Sequence, residues 1–172
     1  MNRRHRIAWM LVLVVDAGFV AWGFMAAAFP DYLLGPGGTP ILPAGYEGYS
    51  SGSWSELVSS SPATAGYIEI LFRMYGVFNL IVGLMGVAIA ATAFRRGDTW
   101  AWWTLLVANT MALGSAMTYD ATVNAIGPFE LSEYLGLILV YVALALTAPL
   151  RPAGRPSPTA AKSSRSRTGA SV

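Results

Sequence analysis

Four long apolar runs limit what this 172-residue chain can fold into. They cover residues 7–29, 68–94, 100–119 and 129–150. Each run reaches the roughly 20 residues that an α-helix needs to cross a hydrocarbon core. A soluble bundle would need a charged face on every helix, yet residues 131–150 contain one charged side chain, Glu133. The runs therefore predict an all-α, integral membrane four-helix bundle.

The same runs divide the chain into three regions. We expect a cytoplasmic basic leader at 1–6, a transmembrane domain at 7–150 that includes an outer loop at 30–66, and a basic cytoplasmic tail at 151–172. A composition of 55% hydrophobic and 12% charged residues fits the bilayer as main partner. The tail has five basic and no acidic residues, which predicts disorder and attraction to anionic lipid, not to nucleic acid.

The basic residues predict the orientation. Ten of the eleven Lys and Arg residues lie in the leader, in the turn "FRRGDTW" or in the tail, and Arg73 is the remaining one. Short loops rich in Lys and Arg stay in the cytoplasm. We expect a multi-pass plasma membrane protein with both termini cytoplasmic and the 30–66 loop outside.

The first run also resembles a secretory signal, because the basic "MNRRHR" precedes it and the small residues of "MAAAF" end it. Asp16 in its middle and its length of 23 residues favour an uncleaved anchor. Cleavage is the alternative, and it would leave three spans.

Gly, Pro and Ser dominate the outer loop, which predicts irregular chain with turns. Ser53 and Glu56 have the spacing of a capping box, which predicts one short interfacial helix after Ser53. Ser61 and Pro62 suit the start of the second long helix. The loop is either a connector over the bundle or a lid over a binding pocket.

The stretch "YIEILFRMYGVFN" places Glu69 and Arg73 four residues apart in an apolar run. Arg73 is 21 residues from Phe94, roughly 31 Å along a helix, at the outer edge of the membrane core. Small residues continue the same helix face, which predicts that this face packs inside the bundle. The face comprises Glu69, Arg73, Gly76, Asn79, Gly83, Gly86 and Ala90.

The acids of the later helices fall at the depth of Arg73, which would then be the central cation of an outward-facing vestibule. This layer is either a network of structural salt bridges or a recognition site for a headgroup, cation or substrate. The candidate polar site comprises Glu69, Arg73, Asn79, Asp120, Glu130 and Glu133.

Asp16 lies near the middle of the first span, about 14 Å from Ile7. An Asp there costs about 2.5 to 3.5 kcal/mol on insertion and needs partners inside the bundle. We expect Asn109 and Thr110 on the third span and Tyr141 on the fourth as those partners, because they lie at the same predicted depth in the membrane as Asp16. Asp16 is either a neutral packing acid or a proton-relay or ligand-binding acid.

The sequence contains few of the residues and motifs that enzymes commonly use for catalysis. It has no Cys, and its single histidine, His5, lies in the basic leader. Disulfide redox chemistry, thiolate metal sites and haem ligation inside the bundle are therefore not supported. Phosphate-binding loops and nucleophile elbows are also missing from the sequence. We predict no catalytic residue, metal or cofactor, and favour a protein without enzymatic activity.

The run "LFRMYGVFNLIVGLMGVAIAATAFRRGDTWAWWTLL" has an Arg and a Gly near the start of one predicted helix and further glycines along it. A short basic turn and a Trp-rich start of the next predicted helix follow. Over residues 65–149 the chain resembles uncharacterised prokaryotic four-span proteins of the DoxX-like kind. The resemblance implies a four-helix membrane bundle, sometimes a subunit linked to quinone or sulfur-oxidising complexes. It implies no catalytic residue.

Three functions fit these observations. The first is an accessory or interaction subunit of a membrane complex, with a membrane protein or a second copy as partner. The second is a protein that binds a small hydrophobe, lipid or quinone through the Arg and carboxylate vestibule. The third is a small proton-coupled transporter that uses Asp16, Asn79 and Glu133.

Overall fold

The computed structural model describes residues 3–35, 38–123 and 131–148. These residues form six α-helices and no β-strand, which confirms the all-α prediction. The helices are α1 Arg3–Ala28, α2 Ile41–Ser50, α3 Trp54–Ser60, α4 Pro62–Ile89, α5 Thr99–Thr122 and α6 Leu131–Leu146. A 3-10 turn, Pro30–Tyr32, follows α1, and a π-helical turn, Ala90–Phe94, extends α4.

Among the described residues, two helices are long and apolar enough to cross a membrane. They are α1 and the 33-residue unit that α4 forms with its π-helical turn. Helix α6 is apolar but has 16 residues, and the ends of the predicted fourth span lie outside the described residues. Four membrane crossings, the regional boundaries and the character of the tail stay predictions.

The outer loop is more ordered than its composition predicts, because it contains two helices where one was expected. Helix α2 was missed since "ILPAGYEGYS" looks like turn sequence. Pro43 is compatible with a helix because it lies in the first turn, where a backbone N–H has no helical partner. Helix α3 does begin after Ser53, as predicted.

The predicted capping box at the start of α3 was wrong in its contacts. Ser53 Oγ lies 2.7 Å from Ser55 Oγ and makes no capping bond. The N–H of Trp54 instead donates to Glu47 Oε1 at 2.9 Å, so the cap comes from α2. Helix α4 begins at Pro62 after Ser61, as the sequence predicts.

Close contact between α1 and α4 is the main packing of the fold. A Cβ atom added to Gly83 would lie 2.6 Å from the backbone nitrogen of Val20, and one added to Gly76 would lie 2.5 Å from that of Ala27. Gly23 on α1 meets the backbone of α4 in the same way. The small-residue face of α4 therefore packs inside the bundle, as predicted, and its neighbour is α1.

Apolar side chains from α1, α5, α6 and the π-helical turn close the end of the bundle at which α4 ends. Phe94, Leu105 and Leu144 are almost fully buried together with Val12. Trp102 Nε1 donates to the carbonyl of Leu144 at 2.9 Å and joins α5 to α6. This end is a packed core.

We predict that Gly83→Ala lowers the thermal unfolding midpoint of the purified chain, because its methyl group would overlap the α1 backbone. Overpacking of this kind costs about 1 to 3 kcal/mol. Gly66→Ala on the same helix is the matched control, since no atom lies within 4 Å of a Cβ there. It should be neutral or slightly stabilising. Equal midpoints for the two variants would contradict the close contact.

Candidate functional site

Arg73 connects α4 to the end of α1. Its Nε and Nη2 atoms donate to Glu69 Oε1 at 2.9 and 2.7 Å, so the predicted pair is present. Its Nη1 atom donates to the carbonyl oxygens of Ala27, at 2.8 Å, and Ala28, at 3.3 Å. The last carbonyls of a helix lack N–H partners and carry partial negative charge. Arg73 therefore acts as a C-terminal cap of α1.

The structure divides the predicted polar site into two groups. Glu69 and Arg73 lie at the end of α1, whereas Asn79, Asp120 and Glu133 lie around two cavities. Glu130 lies outside the described residues. The described contacts of Arg73 are with Glu69 and with α1, so the vestibule around a central Arg73 stays a prediction.

The first cavity, here called the bundle cavity, has a volume of about 460 Å³ and lies among α1, α4, α5 and α6. Its wall is mostly apolar. The apolar and small lining residues are Val15, Gly18, Phe19, Ala21, Trp22, Met25, Leu33, Leu113, Ala116, Leu135, Gly136 and Leu139, and the polar ones are Tyr75, Asn79, Ser132 and Glu133.

The second cavity, here called the roofed cavity, has a volume of about 380 Å³ and adjoins the first. Trp22, Tyr75, Ala116 and Glu133 line both. Helix α2 supplies Ile41, Leu42 and Gly45 to its wall, so the outer loop covers this space. Sequence reasoning left a connector and a lid both open for this loop but missed helix α2, whose one signal was the apolar pair Ile41 and Leu42 within a turn-rich segment.

Polar groups concentrate where the two cavities meet. Asp120 is buried, and both Asp120 and Glu133 are near enough to Tyr75 to interact with it electrostatically. Asn79 donates its Nδ2 to the carbonyl of Tyr75 at 2.9 Å, which leaves its carbonyl oxygen as an acceptor. An apolar space with a few convergent polar groups is typical of small-molecule sites.

Asp16 lies in the contact between α1 and α4, with 2% of its surface exposed. A Cβ atom on Gly86 would lie 2.6 Å from the carboxyl carbon of Asp16, so the carboxyl packs directly on that glycine. On the α5 side, Asn109 approaches the carboxyl within hydrogen-bonding reach. Asp16 Oδ2 and Asn109 Oδ1 are both buried without a hydrogen-bond partner among the described residues. A protonated carboxyl donates a hydrogen bond, and a proton on Asp16 would supply a partner for Asn109 Oδ1.

The other predicted partners of Asp16 form a separate contact. Thr110 Oγ1 and Tyr141 Oη lie 3.1 Å apart at an exposed position and connect α5 to α6. Asn109 also donates its Nδ2 to the carbonyl of Leu105 at 3.1 Å. Of the three residues predicted from depth, Asn109 contacts Asp16.

No family model, curated protein or solved structure matches the chain. The described residues contain no group of three or more His, Cys, Asp or Glu side chains that could hold a metal ion. The two cavities and the polar residues between them are the candidate functional site, because they combine apolar volume with convergent polar groups.

We predict that Arg73→Ala destabilises the fold by about 1 to 3 kcal/mol, because the carbonyls of Ala27 and Ala28 lose their cap. Arg73→Lys should be intermediate, since an ammonium group cannot reproduce the planar fork. Glu69→Gln is the control and should cost about 0 to 1 kcal/mol, as its half-exposed pair is solvent-screened. Thermal unfolding in detergent measures all three. Equal small losses in Arg73→Ala and Glu69→Gln would contradict the capping role.

For Asp16 we predict opposite outcomes from two substitutions. Asp16→Asn keeps the shape and a donor toward Asn109 Oδ1, so the unfolding midpoint should stay close to wild type. Asp16→Leu removes that donor and should cost about 1 to 3 kcal/mol. If Asp16→Asn is as unstable as Asp16→Leu, the packed species is the charged carboxylate.

Proposed function

We propose that this chain is an integral membrane four-helix bundle that binds a small, mostly apolar molecule in the bundle cavity. Large apolar side chains support the membrane location, because they project from α4, α5 and α6 and stay largely exposed among the described residues. Phe78 is 60% exposed, Met111 69% and Ile138 58%. Lipid contact would remove this apolar surface from water.

The distribution of charge supports the proposed orientation. Arg6 near the start of α1 and Arg95 and Arg96 after α4 line one groove, so basic residues that are distant in sequence meet at one end of the molecule. Arg73 lies at the opposite end of α1, beside Ala27. We place the basic end in the cytoplasm and α2 and α3 outside.

The bundle cavity is the observation that carries the proposed activity. Its volume of about 460 Å³ lies within the range of sites that bind small molecules. The apolar wall suits an apolar body, and the few polar lining residues, among them Tyr75, Asn79 and Glu133, suit a single polar group. Arg73 has no part in this proposal, since its contacts are with Glu69 and α1.

The roof formed by α2 suggests how the site is covered. Glu47 of α2 accepts the Trp54 N–H, and the rings of Tyr46 and Trp54 lie edge to face, 5.5 Å apart. Helices α2 and α3 are thus joined to each other beside the roofed cavity. We propose that the outer loop acts as a lid over the site. The accessory-subunit and transporter hypotheses and the DoxX-like resemblance stay predictions.

We predict that Gly18→Leu weakens binding of an apolar fluorescent probe by at least about tenfold, as even one extra methylene in an apolar pocket has such an effect. Gly18 lines the bundle cavity, and no atom lies within 4 Å of a Cβ there, so the side chain would fill free space. Binding is measured by fluorescence titration of the full chain in lipid nanodiscs.

Gly114→Leu is the matched control, because a Cβ there also meets no atom within 4 Å and this glycine does not line either cavity. It should bind the probe like wild type. Equal affinities in the two variants, with equal unfolding midpoints, would place the probe outside the bundle cavity and contradict the proposal.

A further inference from the structure

The end of the molecule opposite Arg73 contains a second feature, a groove of about 570 Å³ between the first turns of α1 and the end of the α4 unit. We call it the basic groove. It is lined by Arg6, Ala91, Thr92, Arg95 and Arg96. This groove shares no residue with the two cavities.

The π-helical turn determines how the groove is built. The N–H of Arg95 bonds to the carbonyl of Ala90, five residues back, so the helix end is rotated relative to a regular α-helix. The rotated end brings the Arg95 guanidinium to 5.1 Å from the centre of the Trp9 ring on α1. A cation over an indole face is an attractive contact. Arg95 is therefore fixed on the α1 side of the groove.

His5 holds the same end in place. Its Nε2 atom lies 2.9 Å from the carbonyl oxygen of Phe94 and 3.2 Å from that of Arg95. These carbonyls lie at the C-terminal end of the α4 unit, where the partial negative charge of the helix would repel an anion. The His5 ring covers the two carbonyls. Both walls of the groove are thereby joined by side-chain contacts.

The charges in the groove are not balanced within the described part of the chain. Arg96 pairs with Asp98 at 2.9 Å, whereas Arg6 and Arg95 form no ion pair with any described residue. Two guanidinium groups that line one groove repel each other, and an anion between them would offset that repulsion. Thr92 uses its hydroxyl hydrogen on the carbonyl of Ala88, at 2.6 Å, so the recognition depends on the arginines.

We propose that the basic groove binds a phosphate group, and that the phosphate belongs to the headgroup of an anionic membrane lipid. Guanidinium groups match phosphate oxygens with two parallel N–H donors, which favours phosphate over a spherical anion. The lipid source depends on the proposed membrane location, because only then does the groove lie at the headgroup layer. Phosphate binding itself is independent of the bundle cavity.

The test compares charge-matched double variants of the full chain. Arg6→Gln combined with Arg95→Gln removes two charges from the groove, and Arg3→Gln combined with Arg4→Gln removes two charges from the same end outside it. Binding of phosphatidylglycerol is measured by native mass spectrometry from neutral detergent, with phosphatidylcholine as the reference lipid. Each groove arginine should contribute about fivefold in affinity. We expect about a 25-fold loss in the groove variant and a much smaller loss in the control.

Two further measurements separate the proposal from misfolding of the variants and from binding of free phosphate. Arg6→Gln alone leaves the contact between Arg95 and Trp9 intact, so a selective fivefold loss in this variant with an unchanged unfolding midpoint excludes misfolding as the cause. Inorganic phosphate is titrated in lipid-free detergent. Saturable binding at submillimolar concentration that the groove variant loses, together with equal binding of phosphatidylglycerol by wild type and the groove variant, would support phosphate recognition but overturn the lipid source. Equal losses in both double variants, or equal retention of the two lipids by wild type, would overturn the proposal. Probe binding in the bundle cavity should be unchanged in every variant, which separates this result from that of the proposed function.

Discussion

The close contact between α1 and α4 is the constraint on which the rest of the structure depends. Gly23 on one helix and Gly76 and Gly83 on the other let the two backbones meet without intervening side chains. Close backbone contact of this kind gains stability from dispersion and from polar groups that find partners. The glycines therefore determine both the distance and the relative position of the two helices.

The polar contacts between α1 and α4 depend on the relative position of the two helices. At one end, Arg73 reaches the last carbonyls of α1. In the middle, the Asp16 carboxyl packs on Gly86, and at the other end Arg95 lies over Trp9. A shift of α1 by one turn along α4 would break all three contacts, so they act together to specify one register.

The candidate site follows from the difference between the close contact of α1 with α4 and the looser packing on the side of α5 and α6. Because α1 and α4 are pressed together, the space toward α5 and α6 has to be filled by side chains, and near Gly18, Ala116 and Gly136 the side chains are small. The end with the π-helical turn is filled by residues such as Phe94 and Leu144, so the free volume lies toward the end that α2 covers. We infer that tight packing on one side of the bundle leaves the cavity open on the other.

Particular residues show how much of this the sequence could predict. The apolar runs predicted the long helices, and the glycine spacing of α4 predicted its packed face. Depth along a helix paired Asp16 with Asn109, which does approach its carboxyl. Depth contains no information on the rotation of neighbouring helices, so it could not predict that Arg73 contacts the last carbonyls of α1. Helix α2 was missed since its Pro43 and Gly45 lower helix propensity locally. Its contacts with the bundle, which include Gly45 beside Tyr119, come from tertiary structure.

Native mass spectrometry of the unmodified chain, released from lipid nanodiscs without added ligand, tests the proposed binding function most directly. The cavity volume predicts a bound species of one small, mostly apolar molecule per chain, which organic extraction would release for identification. The same molecule should be absent from Gly18→Leu and present in Gly114→Leu. A wild-type chain that carries no small molecule and takes up no apolar probe would contradict the proposal that the bundle cavity is a binding site.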